Sequence, residues 1–125
     1  KAYFGGSIDT SVGGLWYMPY VDYCVANGII RARQFSDMNA LISRGDMAIV
    51  FANILPDAEY TATRSGQVPD VADSLGCYAA VMKLYNAGIV GGDAGTGKYR
   101  PEDSISRAEA CVIFTRIAAP EYRQK

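Results

Sequence analysis

Ser106-Arg107-Ala108-Glu109 and its earlier echo, Ser43-Arg44-Gly45-Asp46, decide the reading of this chain. Each opens an apolar run: Ala110, Ile113, Phe114 and Ile117 after the later stretch, Met47, Val50, Phe51 and Ile54 after the earlier one. The spacing i, i+3, i+4, i+7 places each set on one face of a helix. The runs align at one constant shift of 63 residues, so the chain contains an internal repeat. Ser with an acid three residues on predicts a capped helix start: Ser43 with Asp46, Ser106 with Glu109. The arginine between them, Arg44 or Arg107, falls at the first helical position, where the macrodipole disfavours a cation by about 0.3–1 kcal/mol. A fixed cation beside free helix N–H groups suits an anion, carboxylate or phosphate. Both arginines are therefore candidate anion contacts; the plainer reading is a solvated arginine paired with a nearby carboxylate.

Outward from the two starts, the rest of each unit repeats as well. Tyr17, Tyr20, Val21, Cys24 and Val25 predict an amphipathic helix, with Pro19 in its first turn and Asn27-Gly28 ending it. Its counterpart carries Cys77, Val81, Leu84 and Tyr85 and ends at Asn86-Ala87-Gly88. Gly28 to Gly88 is a shift of 60 residues, so the second copy has a connecting loop three residues longer, within Gly91 to Gly97. Each unit reads as helix, glycine stop, loop and capped helix. The expected architecture is all-α: tandem helix-loop-helix repeats packed around a shared core. The expected spans are a lead-in at 1–13, a first repeat at 14–56, a linker at 57–67, a second repeat at 68–120 and a tail at 121–125. A start at Lys1 without Met suggests a fragment.

Composition limits the function classes. The 125 residues carry 12 basic and 13 acidic side chains, net charge −1, with no basic excess to suggest nucleic acid or an anionic membrane. No apolar run approaches the length of a membrane span. There is no histidine, which removes the usual acyl-transfer triad, and Cys24, Cys77 and Cys111 lack metal-site spacing. The cysteines read as buried free thiols, with one disulfide left open. Gly92-x-x-x-x-Gly97-Lys98 spells most of a phosphate-binding loop, but Tyr99 replaces the required Ser or Thr and Pro101 precludes the helix that should follow. That stretch is read as a turn. No enzyme, cofactor or metal is expected. Trp16, Tyr78, Tyr85 and Tyr99 are candidates to stack on sugar rings, or amphipathic side chains at core edges.

Several stretches together resemble the S-layer homology (SLH) domain, the repeated module by which many bacterial surface proteins hold to the cell wall. In the second copy the likeness runs through Val68-Pro69-Asp70-Val71, Leu84-Tyr85-Asn86-Ala87-Gly88-Ile89-Val90, Gly95-Thr96-Gly97-Lys98-Tyr99-Arg100-Pro101 and Ile105-Ser106-Arg107-Ala108-Glu109-Ala110. In the first it rests on Trp16, Ala26-Asn27-Gly28-Ile29-Ile30, Phe35 and Ile42-Ser43-Arg44-Gly45-Asp46-Met47-Ala48. Two departures stand out: Gly76 where the family favours Trp, and Gly45-Asp46 for Ala-Glu. The family commonly carries three copies; two are found here. The resemblance implies non-covalent anchoring, outside a bacterial cell, to anionic secondary cell-wall polysaccharide, often bearing pyruvate ketals. Arg44 and Arg107 would then be the anion contacts, with Trp16, Gly28 and Gly88 shaping the grooves. A role of another class is assembly with further SLH repeats, in cis or trans, without glycan binding.

Overall fold

A computed structural model describes residues 4–11 and 13–125; residues 1–3 and 12, part of the expected lead-in, lie outside the described residues. Among the described residues there are four α-helices and no strand: α1 (Met18–Ala26), α2 (Arg44–Phe51), α3 (Tyr78–Asn86) and α4 (Arg107–Ala118). The all-α expectation holds. Two 3-10 turns, Asp57–Glu59 and Pro120–Tyr122, complete the set. No helix is long and apolar enough to cross a membrane, among the described residues.

The chain divides into two compact units, residues 1–39 and 40–125. The division falls inside the span assigned to the first repeat, leaving α1 in one unit and α2 in the other. In the first unit, Pro19 sits in the opening turn of α1, where its missing N–H costs nothing. Gly28, at φ +73°, closes the helix as expected, with the Ile29 N–H donating back to the Cys24 carbonyl (2.9 Å).

The second unit holds the main core. Met47, Ala48 and Phe51 of α2 meet Val81 and Leu84 of α3, Ile113 and Ile117 of α4, and the loop residues Val68, Val71, Ile89, Val90 and Tyr99. Val81 and Leu84 are fully buried, and each such side chain contributes about 1.5–3 kcal/mol of transfer free energy. The helical periods are thus largely read correctly. Phe114 differs: it stands 54% exposed and meets the core only edge-on, its ring centroid 4.9 Å from that of Phe51.

α2 ends at Phe51, four residues before the expected Leu55. The Tyr60 hydroxyl donates to the Phe51 carbonyl and accepts from the Leu55 N–H, while Lys83 Nζ takes the Ala52 carbonyl. Side chains from outside the helix satisfy its last carbonyls, so the helix need not continue. The stretch assigned as a linker therefore packs closely. Tyr60 is buried, and the Thr63 and Arg64 N–H groups both donate to the Asn86 carbonyl at the end of α3. Arg64 also lies over the Tyr85 ring (4.0 Å) and donates to the Tyr85 and Val90 carbonyls.

The tail is equally fixed. Arg123 is buried and donates to the Arg116, Ile117 and Glu59 carbonyls, finishing α4 and tying it to the 57–59 turn. Gln124 follows, its N–H donating to the Gly88 carbonyl (2.9 Å) and its own carbonyl accepting from Thr63 Oγ1 (2.6 Å).

Candidate functional site

The two helix-start motifs lie close to one another. Ser43 and Ser104 form an isolated antiparallel bridge, in which the Arg44 N–H donates to the Asp103 carbonyl (2.7 Å) and the Ile105 N–H to that of Ile42 (3.4 Å). Both capping serines have extended backbones and accept from the N–H three residues on, Ser43 from Asp46 (3.0 Å) and Ser106 from Glu109 (3.1 Å). At α4 the box is complete, because the Glu109 carboxylate accepts in return from the Ser106 N–H. Asp46, one methylene shorter, makes no such return bond at α2; it contributes its N–H and a first-turn negative charge.

Arg44 is turned inward and only 6% exposed. Its Nε donates to the Tyr99 carbonyl (2.6 Å), its guanidinium lies 4.5 Å from the Tyr99 ring centroid, and Nη1 pairs with the second carboxylate oxygen of Glu109. Tyr99 answers by donating its hydroxyl to the Arg44 carbonyl (2.8 Å). Burial pushes the Tyr99 phenol up to about 12, against the opposing pull of the Arg44 charge. Glu109 thus caps α4 with one oxygen and holds the first copy's arginine with the other. The backbone donors of α2 are also consumed: Arg44 N–H by Asp103, Gly45 N–H by the Pro101 carbonyl (2.8 Å), Asp46 N–H by Ser43. The anion slot expected at α2 is filled by the chain's own carbonyls and carboxylate.

The start of α4 is different. Arg107 is exposed and makes no ion pair among the described residues, and neither its own N–H nor that of Ala108 finds an acceptor among them. A cation beside open helix-start donors remains there.

The remaining sequence candidates fall in separate places. Trp16 is 78% exposed in the first unit, edge-on to Tyr17. Gly28 is exposed in that unit too. Gly88 is buried beneath Gln124 in the second unit. Tyr99 is buried and Tyr85 is covered by Arg64, so neither ring face is open to a sugar. Asp70, which the sequence reading did not single out, accepts from the Tyr99 and Arg100 N–H groups with its two carboxylate oxygens (2.8 and 2.7 Å) and holds Arg100 at φ +60°. Its setting in Val68-Pro69-Asp70-Val71 was the available signal. The 92–97 stretch is a turn, as expected, with Asp93 accepting from the Gly95 and Thr96 N–H groups.

Beside α2 lies a groove of about 350 Å³, walled by Ile49, Leu75 and Pro101, with Asp46 and Glu102 along it and Cys77 in its floor. Gly45 packs closely there: a Cβ on it would stand 3.1 Å from the Pro101 carbonyl oxygen and 3.2 Å from the Cys77 sulfur, so a neighbour would have to give by a few tenths of an ångström. Gly76 lies in the groove lining, with nothing within 4 Å of a Cβ placed on it. The three cysteines are free thiols, Cys24 and Cys77 half-buried. Cys111, read as a core position, is instead exposed on α4. Burial pushes the Cys77 thiol up, and the Asp46 and Glu102 charges add to the rise. A raised thiol holds less thiolate at a given pH, so iodoacetamide at about pH 8 should alkylate Cys111 well before Cys77. Equal rates would show that the groove floor is not shielded.

Residues 69–111 match the family model of the S-layer homology domain. The match takes in Asp70, α3, the Tyr99 loop and the capped start of α4. No curated protein and no solved structure matches the chain. The chain thus carries an S-layer homology domain over these residues. Such domains are in general non-catalytic modules of the bacterial cell surface that anchor to cell-wall polysaccharide.

Proposed function

We propose that the chain is a non-covalent anchoring module that binds anionic, pyruvate-ketal-bearing secondary cell-wall polysaccharide through the start of α4. The observation that carries this reading is the exposed Arg107 beside two unpartnered N–H groups, inside the residues that match the family. A ketal carboxylate meets there a guanidinium and backbone donors together, the combination that binds carboxylates well. Arg44 supports the site from behind: through Glu109 it fixes the capping box that aims those donors. Trp16, with its exposed ring, offers an aromatic face for a sugar. Gly28 and Gly88 close the helices before the loops rather than contact ligand themselves.

Sedimentation with cell-wall sacculi tests this. The wild-type protein should pellet with intact sacculi and stay soluble once their attached polysaccharide is stripped. Arg107→Ala should weaken binding about tenfold, the equivalent of one charge-assisted contact. Raised salt should weaken it further, because the contact is exposed. Unchanged binding by Arg107→Ala, or binding indifferent to salt, would remove the arginine mechanism.

A second reading, assembly with further repeats, is favoured by one observation. α4 presents Cys111, Val112 (46% exposed) and Phe114 (54% exposed) on its outer side. Light scattering separates the two: an obligate oligomer supports assembly, a stable monomer that pellets with sacculi supports anchoring.

A further inference from the structure

We propose that the open side of α4 takes α1 of a second copy of this chain, as α2 takes α3, and that Cys24 and Cys111 meet across that junction as an oxidisable pair. The proposal rests on the assembly reading above and deepens it by naming the partner and the contact.

The template is the packing of α2 on α3, which joins the end of one repeat to the start of the next. α2 turns Met47, Ala48, Phe51 and Ala52 into the core, and all four are buried. A shift of 63 residues turns these into Ala110, Cys111, Phe114 and Thr115 of α4, of which the last three are exposed. α3 brings Val81 and Leu84 to the same core, both fully buried. A shift back of 60 residues gives Val21 and Cys24 of α1, a helix without a buried residue. α4 thus repeats the docking side of α2, and α1 that of α3, with both sides open.

A second copy fills both at once. With α1 of each copy on α4 of the other, two equal junctions form about a two-fold axis and no docking side is left over. The cysteines then occupy paired places: Cys111 stands where Ala48 does, and Cys24 where Leu84 does. Ala48 and Leu84 lie in one core where the two helices meet, and Cys24 and Cys111 are free thiols. Thiols at facing positions can be bridged when their Cα atoms come within about 4.4–6.8 Å. The oxidant is a small disulfide such as oxidised glutathione. Each cysteine gives up its proton, the S–S bond between copies forms, and the oxidant's own S–S bond breaks to two thiols as it takes up the two protons and two electrons.

The test mixes two variants of the intact chain, Cys24→Ser and Cys111→Ser, with oxidised glutathione. Each lacks one half of the pair, so only the mixture should give a dimer on a non-reducing gel, with Cys24 joined to Cys111 by peptide mapping. Sedimentation of the reduced wild type should show a dimer. Phe114→Asp should weaken it about thirtyfold, as the loss of a buried aromatic anchor does, with circular dichroism confirming that the helices are kept. A monomer throughout, a Cys24–Cys111 bridge within one wild-type chain, or a mixture that yields no Cys24–Cys111 link would each overturn the proposal. An oligomer without that link keeps assembly and removes only this junction. Pelleting with sacculi is read apart from both: a monomer that pellets leaves anchoring and overturns the junction, whereas a linked pair that never pellets leaves the junction and removes anchoring.

Discussion

Glu109→Ala is expected to destabilise residues 40–125 by about 3 kcal/mol, since removing one partner of a buried pair typically costs about 3–5 kcal/mol and the Glu109 side chain is 36% exposed. The loss has two parts. Without the carboxylate, the Ser106 N–H and hydroxyl lose their acceptor and α4 loses half its capping box. Without the charge, the Arg44 guanidinium stays buried against Tyr99 with nothing to neutralise it. Glu109→Gln separates the parts, because an amide oxygen still accepts from Ser106 but cannot pair with Arg44. Urea denaturation followed by far-ultraviolet circular dichroism should place Glu109→Gln between wild type and Glu109→Ala. A Glu109→Ala midpoint indistinguishable from wild type would mean that the pair contributes nothing.

Gly88→Ala is expected to have an effect of similar size, by a steric route. Gly88 has φ +75°, where a non-glycine residue costs about 1–2 kcal/mol. A Cβ there would also lie 2.1 Å from the Gln124 carbonyl oxygen and 2.9 Å from Thr63 Oγ1. The tail must lift, and with it go the bonds of Gln124 and the three carbonyl contacts of Arg123. Gly28→Ala is the control: φ is +73° but nothing lies within 4 Å of the new atom, so only the same backbone cost of about 1–2 kcal/mol applies. Thermal melts should rank wild type above Gly28→Ala above Gly88→Ala, and hydrogen exchange at Gln124 should rise in the last alone. Equal melting of the two variants would show that the tail does not bear on Gly88.

The comparison of these two glycines shows what a sequence can and cannot disclose. Their equivalence was legible from Asn27-Gly28 and Asn86-Ala87-Gly88, because a glycine stop is a local event set by backbone sterics. The tail over one of them was not, because Arg123 and Gln124 follow no periodicity and find partners some 60 residues back. The helices were legible for the same local reason, down to both serine caps. Arg44 and Arg107 occupy matched sequence positions and yet differ in kind. Which arginine is free depends on whether a carboxylate and a carbonyl-bearing loop arrive from elsewhere in the chain, as Glu109 and residues 101–103 do at α2. Repetition identified the pair; only tertiary contact distinguished its members. Likewise Gly45 looked like a weak helix start, and the close approach of Pro101 and Cys77 to it comes from residues far along the chain.

The hydrogen bonds that hold α2 and the 57–67 stretch also bear on the order of folding. Arg44 reaches Tyr99 across 55 positions, Arg123 reaches Glu59 across 64, and Gln124 reaches Thr63 across 61. Closing such distant contacts is slow, because loop entropy must be lost before the contacts form. During synthesis α2 emerges early, but its arginine has no counter-charge until Glu109 follows and its neighbours have no clasp until residues 123–124 are made. A nascent chain stopped near residue 100 should therefore be protease-sensitive throughout α2, with protection arriving in one late step once residues 123–124 are free.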